Sequence, residues 1–329
     1  MKIAGVSMTY NDDYKLKKWK EHYLTYKEQL ELFIIVDNCS DDRYFQELKV
    51  TFPDAVILRR KDNGGCTAAY NDGIKYALEH TDVEAIAILG NDIKVTGKCL
   101  PAMYDYLFSD ENLGIVSTAI LDKDSNIISN YGHIVRGFNV TYCNKGENIN
   151  KIAIKQKYTD LVSGGFTMAK REFYVKTGLQ DDNLFMYCDE LDTMYKARRF
   201  GFKMGVIANE YAWHWHINNP VIARRSSLSR YLICRNRIYL AKKYESIGVV
   251  LKCATRGLFL VPLIYAFRFT KYWKYAELCD AWYSFLGTMH GIFGIMNKLR
   301  LDICNYRLEQ QIIDRGETLG QILNRYGVS

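Results

Sequence analysis

The sequence predicts an α/β fold: a doubly wound, mostly parallel sheet flanked by helices, followed by a helical C-terminal region. Three observations carry this. Short, continuous apolar runs alternate with helical stretches over the first 120 residues, the pattern of strands buried on both faces by crossover helices. Polar residues gather just after three of those runs, at Thr9-Tyr10-Asn11, Asp37-Asn38 and Asn91-Asp92, where such sheets bind ligands. The charge is also divided. Residues 1–220 hold 27 Lys+Arg and 30 Asp+Glu, net −3; residues 221–329 hold 17 and 7, net +10, making the chain's +7.

Taken in order, Lys2 to Met8 reads as a first buried strand, then a loop, then a helix over roughly 13–29. Leu32 to Val36 is a second strand and Ala55 to Leu58 a third. Lys61 to Asn71 is a glycine-containing loop that runs into a helix ending near His80. Ala85 to Leu89 is a fourth strand, followed by a helix near 98–108 and a strand at 114–118. Residues 122–158 have no clear period and read as irregular hairpins. Ser163-Gly164-Gly165-Phe166 is a tight turn before a short helix at 170–177. Tyr187 to Phe200 is helical, with Gly201 where a C-terminal cap is expected. Lys203 to Ala208 reads as a last strand. These elements form one domain, 1–221; residues 222–329 form a second, helical one, by their apolar-basic pattern and lack of turn signals.

Composition excludes several classes. Of the 329 residues, 48% are apolar and 25% charged, which is globular and rules out a disordered chain. The nine cysteines include no CxxC pair, so a zinc ribbon is out and free thiols in a reducing cytosol are expected. The first residues lack a signal-peptide apolar run. No window of about 20 residues is free of charge, so no spanning helix is expected. The basic excess lacks the compact stripe and reading motifs of a nucleic-acid binder.

Five groups of residues carry chemistry. Asp37 at a strand end can accept the N3–H of uracil or thymine, or can cap a helix. Asn63-Gly64-Gly65 lets a backbone approach a ligand, with a helix N-terminus behind it to meet phosphate, and Asn71 follows; a plain turn needs the same glycines. Asn91-Asp92 offers a carboxylate to a hard cation, or makes an ordinary turn. Asp189, Glu190 and Asp192 open a helix after an aromatic run. Asp189 and Asp192 share a face there, as a general base with its neighbours would, though the helix dipole alone favours such acids. Trp213-His214-Trp215-His216 alternates in the manner of an extended segment. Its imidazoles suit manganese, zinc or diphosphate, and its indoles suit a buried strand.

Together these residues resemble the family-2 inverting glycosyltransferases of GT-A fold, and among them the bacterial rhamnosyl- and related sugar transferases that build surface polysaccharides. The matching stretches are Val6–Asn11, Val36–Asp42, Asn63-Gly64-Gly65, Asn71-Asp72-Gly73, Asn91-Asp92, Val162–Gly165, Tyr187–Asp192, His214 and Arg235-Asn236, over about residues 1–240. The resemblance implies a UDP- or dTDP-sugar donor, an acceptor hydroxyl on a growing, lipid-linked glycan, and a divalent cation, Mn2+ or Mg2+. It places Thr9, Tyr10, Asn11, Asp37, Asn63, Gly64, Gly65, Asn71 and Asn91 around the nucleotide, and Asp92 and His214 on the metal. Glu190 or Asp189 becomes the base, and Gly164, Gly165, Asp192 and Trp213 lie near the sugars. Two departures stand out: Gly90 replaces the first acid of the family's DXD motif, and Asp189-Glu190 reverses the commoner Glu-Asp order. A non-catalytic nucleotide-sugar or glycan-binding protein of the same fold is the alternative. The cytoplasm is the expected location. Aromatic and basic residues over 248–300, Trp273 and Trp282 among them, point to peripheral docking on the inner face of a plasma membrane or to a homodimer through the C-terminal helices.

Overall fold

The computed structural model describes residues 1–215, 227–272 and 275–296. His216, Trp273 and Lys274 lie outside the described residues. Contacts divide the chain into two compact units. The first holds 1–182 and 189–216; the second holds 183–188 and 217–329. Six residues before the acidic helix belong with the helical unit; the expected boundary at 221/222 lies outside the described residues.

The first unit is built on β1 (Ile3–Thr9), α1 (Asp13–Leu24), β2 (Leu32–Asp37), α2 (Asp42–Thr51), β3 (Val56–Arg59), α3 (Gly65–His80) and β4 (Ala85–Leu89). It continues with β5 (Ile93–Val95), α4 (Cys99–Ser109), β6 (Leu113–Asp122), β7 (Ile128–Asn130), β8 (His133–Arg136), β9 (Asn139–Tyr142) and β10 (Gln156–Thr159). It closes with β11 (Phe166–Lys170), α5 (Arg171–Thr177), α6 (Asp189–Arg199) and β12 (Lys203–His214). The main path of the sheet runs β10-β12-β6-β11-β4-β1-β2-β3.

The α/β fold is as expected, but the sheet is mixed. β1 pairs parallel with β2 and β4, and β2 with β3. β11 inserts antiparallel between β4 and β6. The sequence puts residues 166–170 in a turn leading to a helix, because five residues after Ser-Gly-Gly show no period of their own. The strand forms because Phe166, Met168 and Ala169 are fully buried in the centre of the sheet. β12 is twice the expected length and brings His214 alongside Ile93 of β5.

The core lies between the sheet and α1, α2 and α4. Trp19, Tyr23, Phe33 and Phe52 form an aromatic cluster there, with Tyr23 stacked on Phe33 at 4.6 Å between centroids. α3 packs on β1 and β2. β1 is flanked by β2 on one side and β4 on the other. Its C-terminal end is therefore a topological switch point, the crevice where open α/β sheets take ligands.

The second unit contains α7 (Ser227–Tyr244), α8 (Ile247–Thr255), a π-helical turn (Arg256–Leu260), α9 (Val261–Tyr272) and α10 (Tyr275–Phe293). Leu228, Tyr231 and Leu232 of α7 pack with Tyr283 and Leu286 of α10 and with Phe185 and Met186 of the segment before α6. Ile247–Lys271 is a 25-residue helix long and apolar enough to cross a membrane, and almost none of it is buried. This corrects the expectation that no such helix exists. The uncharged run within it is short: Lys252, Arg268 and Lys271 lie towards the ends, where long basic side chains can snorkel to headgroups, but Arg256 lies inside the stretch.

Candidate active site

The switch point collects the residues singled out from β1, β2 and β4. Asn91 Nδ2 donates to Met8 O (3.3 Å) and to Asp12 Oδ2 (2.7 Å), and its Oδ1 accepts from Lys15 Nζ at 3.3 Å. This residue therefore ties the end of β4 to the start of α1. Thr9 is fully buried, and its hydroxyl is taken by Tyr44 and by Asp12. Asn11 adopts φ 48°, bonding Ser40 Oγ through its N–H (2.9 Å) and accepting from Asp41 N (3.0 Å). Tyr10 is partly exposed beside it. Thr9 and Asn11 thus shape the crevice wall.

Asp37 is completely buried at the end of β2. Oδ1 accepts from Ser40 N at 3.2 Å, while Oδ2 lies 3.3 Å from Arg59 Nε and has no hydrogen bond. Burial raises its pKa above the ordinary carboxylate value, against the bonds from Ser40 and the nearby charge of Arg59. A buried carboxylate oxygen short of a donor is what a nucleobase N–H would complete. The helix cap after β2 is Asp41, whose side chain accepts from Tyr44 N; the capping alternative for Asp37 therefore falls.

Asn63 welds the next loop. Its Oδ1 accepts from Asn38 Nδ2 (2.8 Å) and Gly65 N (3.0 Å), while Asn38 Oδ1 accepts from Gly64 N (3.0 Å). Asn71 lies within α3, two turns past this loop. It is buried inside the helix and exchanges bonds with the backbone of Gln180, 2.8 Å from Nδ2 and 2.9 Å to Oδ1, besides contacting Asp182. It fixes the 180–182 segment. Asp12 and Lys15 line the crevice beside Asn91, and sequence reasoning misses them. Their signal is proximity to strand ends, shared with many bystanders.

Asp92 and His214 meet although 122 positions separate them: Nε2 lies 3.3 Å from Asp92 Oδ1, brought there by the pairing of β12 with β5. Lys15 Nζ stands 3.8 Å from Asp92 Oδ2. A carboxylate and an imidazole suit Mn2+. Among the described residues no group of three or more His, Cys, Asp and Glu converges, so the pair fits a cation completed by substrate oxygens. Gly90 has a local reason. Its N–H donates to Gly165 O at 2.9 Å, and a Cβ at position 90 would stand 3.0 Å from that oxygen. The backbone approach makes any side chain there a tight fit.

The same turn reaches the acids of α6. A Cβ at Gly164 would lie 2.8 Å from Glu190 Cγ and Oε1, so the Glu190 side chain lies directly against the glycine. Gly165 opens to solvent with nothing near its Cα face. Residues 163–165 therefore connect the Asp92 end of β4 with Glu190. Beside Glu190 is a cavity of ≈ 20 Å³, bordered also by Gln180 and Thr193, about the room one water needs. Burial raises the Glu190 pKa, with its own backbone N–H and that of Gly164 opposing. Asp189 is buried, and burial followed by the charge of Glu190 pushes its pKa well up. Asp192 is fully buried and ion-paired with Lys196 at 2.9 Å, one turn along α6. Trp213 donates its indole N–H to Ser125 O (3.0 Å) and packs with Tyr211, on the hairpin side of β12.

Comparison with known proteins agrees with this geometry. A family model described as glycosyl transferase family 2 matches residues 10–177, just over half the chain. The chain is 26% identical over 211 residues to the low-salt glycan biosynthesis hexosyltransferase Agl10 of Haloferax volcanii, covering 62% of this chain and 65% of that protein. The match thus spans just under two thirds of that relative. Among solved structures, GalNAc-T7 with UDP, GalNAc and Mn2+ superposes with TM-score 0.59 at 12% identity, over 92% of this chain and 57% of that one. The mannosyltransferase PcManGT from Pyrobaculum calidifontis, in complex with GDP-Man and Mn2+, does so with TM-score 0.52 at 13% identity, over 89% and 87%. These likenesses show the GT-A fold. On its own matched residues, the chain belongs to glycosyl transferase family 2.

Proposed function

We propose that the chain transfers a hexosyl group from a UDP- or dTDP-sugar to an acceptor hydroxyl, with inversion at the anomeric carbon. The observation that carries this is the turn 163–165. It binds the Asp92 strand end through Gly90 and seats Glu190 against Gly164, so a diphosphate-binding edge and a carboxylate of raised pKa share one rim. Asp37 Oδ2, buried without a hydrogen-bond donor, supports recognition of a base N–H.

Asp92 and His214 are the residues that would hold a divalent cation, which supplies charge neutralisation to the leaving diphosphate. Lys15 adds a second positive charge there. Glu190 takes the proton from the acceptor hydroxyl as its oxygen forms the new bond to C1. The C1–O bond to the diphosphate breaks, and the electron pair leaves on the nucleoside diphosphate. One displacement inverts the configuration. Asp189, more deeply buried, stays beside Glu190, whose charge opposes its ionisation. The neighbours solved with UDP or GDP-Man and Mn2+ support the same ligand class. Non-catalytic binding remains an outcome of the test. The screen is thermal unfolding with UDP, dTDP, GDP and their sugars, with and without Mn2+. One nucleotide class at 100-fold its Kd should stabilise by about 2.7 kcal/mol; no stabilisation by any would overturn the reading.

The acceptor is a lipid-carried glycan reached at a membrane surface. Along Ile247–Lys271 an apolar stripe is exposed at Ile247, Leu251, Phe259, Leu263 and Phe267, the last three at 61%, 65% and 70%. Residues 246–276 hold five Lys+Arg and no Asp or Glu, complementary to anionic headgroups at about 1 kcal/mol per well-placed basic residue. The protein should co-float with anionic vesicles at low salt and detach as salt rises. Binding that resists high salt would instead mean insertion of this helix. No binding to vesicles, together with a dimer that Leu251→Glu dissociates, would assign the stripe to a second copy.

A further inference from the structure

Arg235 and Asn236 match the family pattern in sequence without receiving a role. The structure shows what they grip. The segment Asn183–Cys188 runs directly into the acids of α6. Three of its residues, Phe185 (φ 63°), Tyr187 (66°) and Cys188 (65°), are in the left-handed region. Residues with bulky side chains are strained in that conformation, so something must hold it.

The holder is within the helical unit. Asn236 is fully buried on α7. Its Nδ2 faces the carbonyl oxygens of Leu184 (2.9 Å), Met186 (2.9 Å) and Tyr187 (2.8 Å) and donates to them. Arg235, 1% exposed, donates from Nη2 to the carbonyls of Asn183 and Leu184, both at 3.0 Å. Its Nε donates to Asn236 Oδ1 at 2.9 Å, which fixes the amide with its N–H groups towards the loop. Every one of these partners on the segment is a backbone oxygen, so the grip sets the path of the chain whatever its side chains. A buried guanidinium directed at carbonyls is costly; apolar packing would stabilise a plain helix pair better.

We propose that Arg235 and Asn236 are positioning residues for the general base: they hold residues 183–188 in the strained path from which Asp189 and Glu190 enter the first turn of α6. This rests on the transferase reading of Glu190, to which the grip is joined through the peptide between Cys188 and Asp189. Releasing the grip lets the segment relax to ordinary φ values and moves the start of α6, while the nucleotide-binding strand ends are untouched.

The test uses Asn236→Ala and Asn236→Asp in the full chain. The aspartate keeps the volume and the acceptor for Arg235 but removes both N–H donors. The expected result has three parts. Turnover falls about 100-fold, the cost of misplacing a reacting group by an ångström. The Kd for the nucleotide stays within about twofold, since Asp37 and Asp92 are untouched. Amide exchange over 183–190 speeds up while the sheet strands keep wild-type protection. Turnover within about threefold of wild type, or unchanged exchange over 183–190, overturns the proposal, because the residue then does not hold the base in place. If both variants unfold, Arg235→Lys keeps the charge and loses the fork, with the same outcomes deciding. Exchange needs no substrate, so it tests the grip even if the wild-type protein proves inactive; inactivity would count against the transferase reading alone.

Discussion

Glu190→Gln should abolish most transfer while leaving nucleotide binding intact. The expected drop is about 10²–10⁴-fold, the contribution of a general base. Glutamine keeps the shape that rests on Gly164, so a loss of rate would report the proton acceptor and not a collapsed site. The sign of the pH dependence follows from the raised pKa of Glu190. Its carboxylate is protonated below that pKa and cannot accept a proton, so turnover rises with pH through a point above the ordinary glutamate value of about 4.3. The variant should lose this acid limb. Asp189→Asn is the control: burial and the charge of Glu190 oppose ionisation of Asp189, so replacing it with a neutral amide should leave the limb in place. Transfer by Glu190→Gln within about tenfold of wild type would move the role to Asp189 or remove it.

Asp92→Ala should remove the Mn2+-dependent part of donor binding. Asp92 is the carboxylate that faces His214, and any side chain at position 90 would be a tight fit against Gly165 O. With His214 alone, affinity should fall at least about tenfold, a loss of about 1.4 kcal/mol, read as a smaller thermal shift with donor plus Mn2+. The shift with donor alone should change less, because Lys15 keeps its charge beside the diphosphate edge. An unchanged manganese response would show that Asp92 and His214 form only an ion pair.

The parts of this fold written as local pattern are legible in the sequence. Strands β1, β2 and β4 are apolar runs closed by polar residues, and burial on both faces leaves little else they can form. Asp37, Asp189 and Glu190 are visible as carboxylates at a strand end and a helix start, places that capping and the helix dipole favour as well. β11 escapes because its five residues owe their strand to neighbours on both sides, a tertiary cause. The reach of β12 to Asp92 escapes for the same reason. Residue type alone groups Asn71 and Asp192 with the ligands, while their partners, the Gln180 backbone and Lys196, come from tertiary packing and the helix that no local pattern shows. The three left-handed residues before α6 are illegible in principle: Phe, Tyr and Cys all disfavour that conformation. Arg235 and Asn236, far along the chain, grip the backbone there.

The most direct measurement is donor turnover by the wild-type chain: release of nucleoside diphosphate from the stabilising nucleotide-sugar, followed with Mn2+ present and with the anomeric proton of the product read by NMR. Release coupled to a glycoside of configuration opposite to the donor is the expected result. Tight binding of the same nucleotide-sugar with the donor left intact, whatever hydroxyl acceptors are supplied, would contradict it and leave a binding protein on a transferase fold.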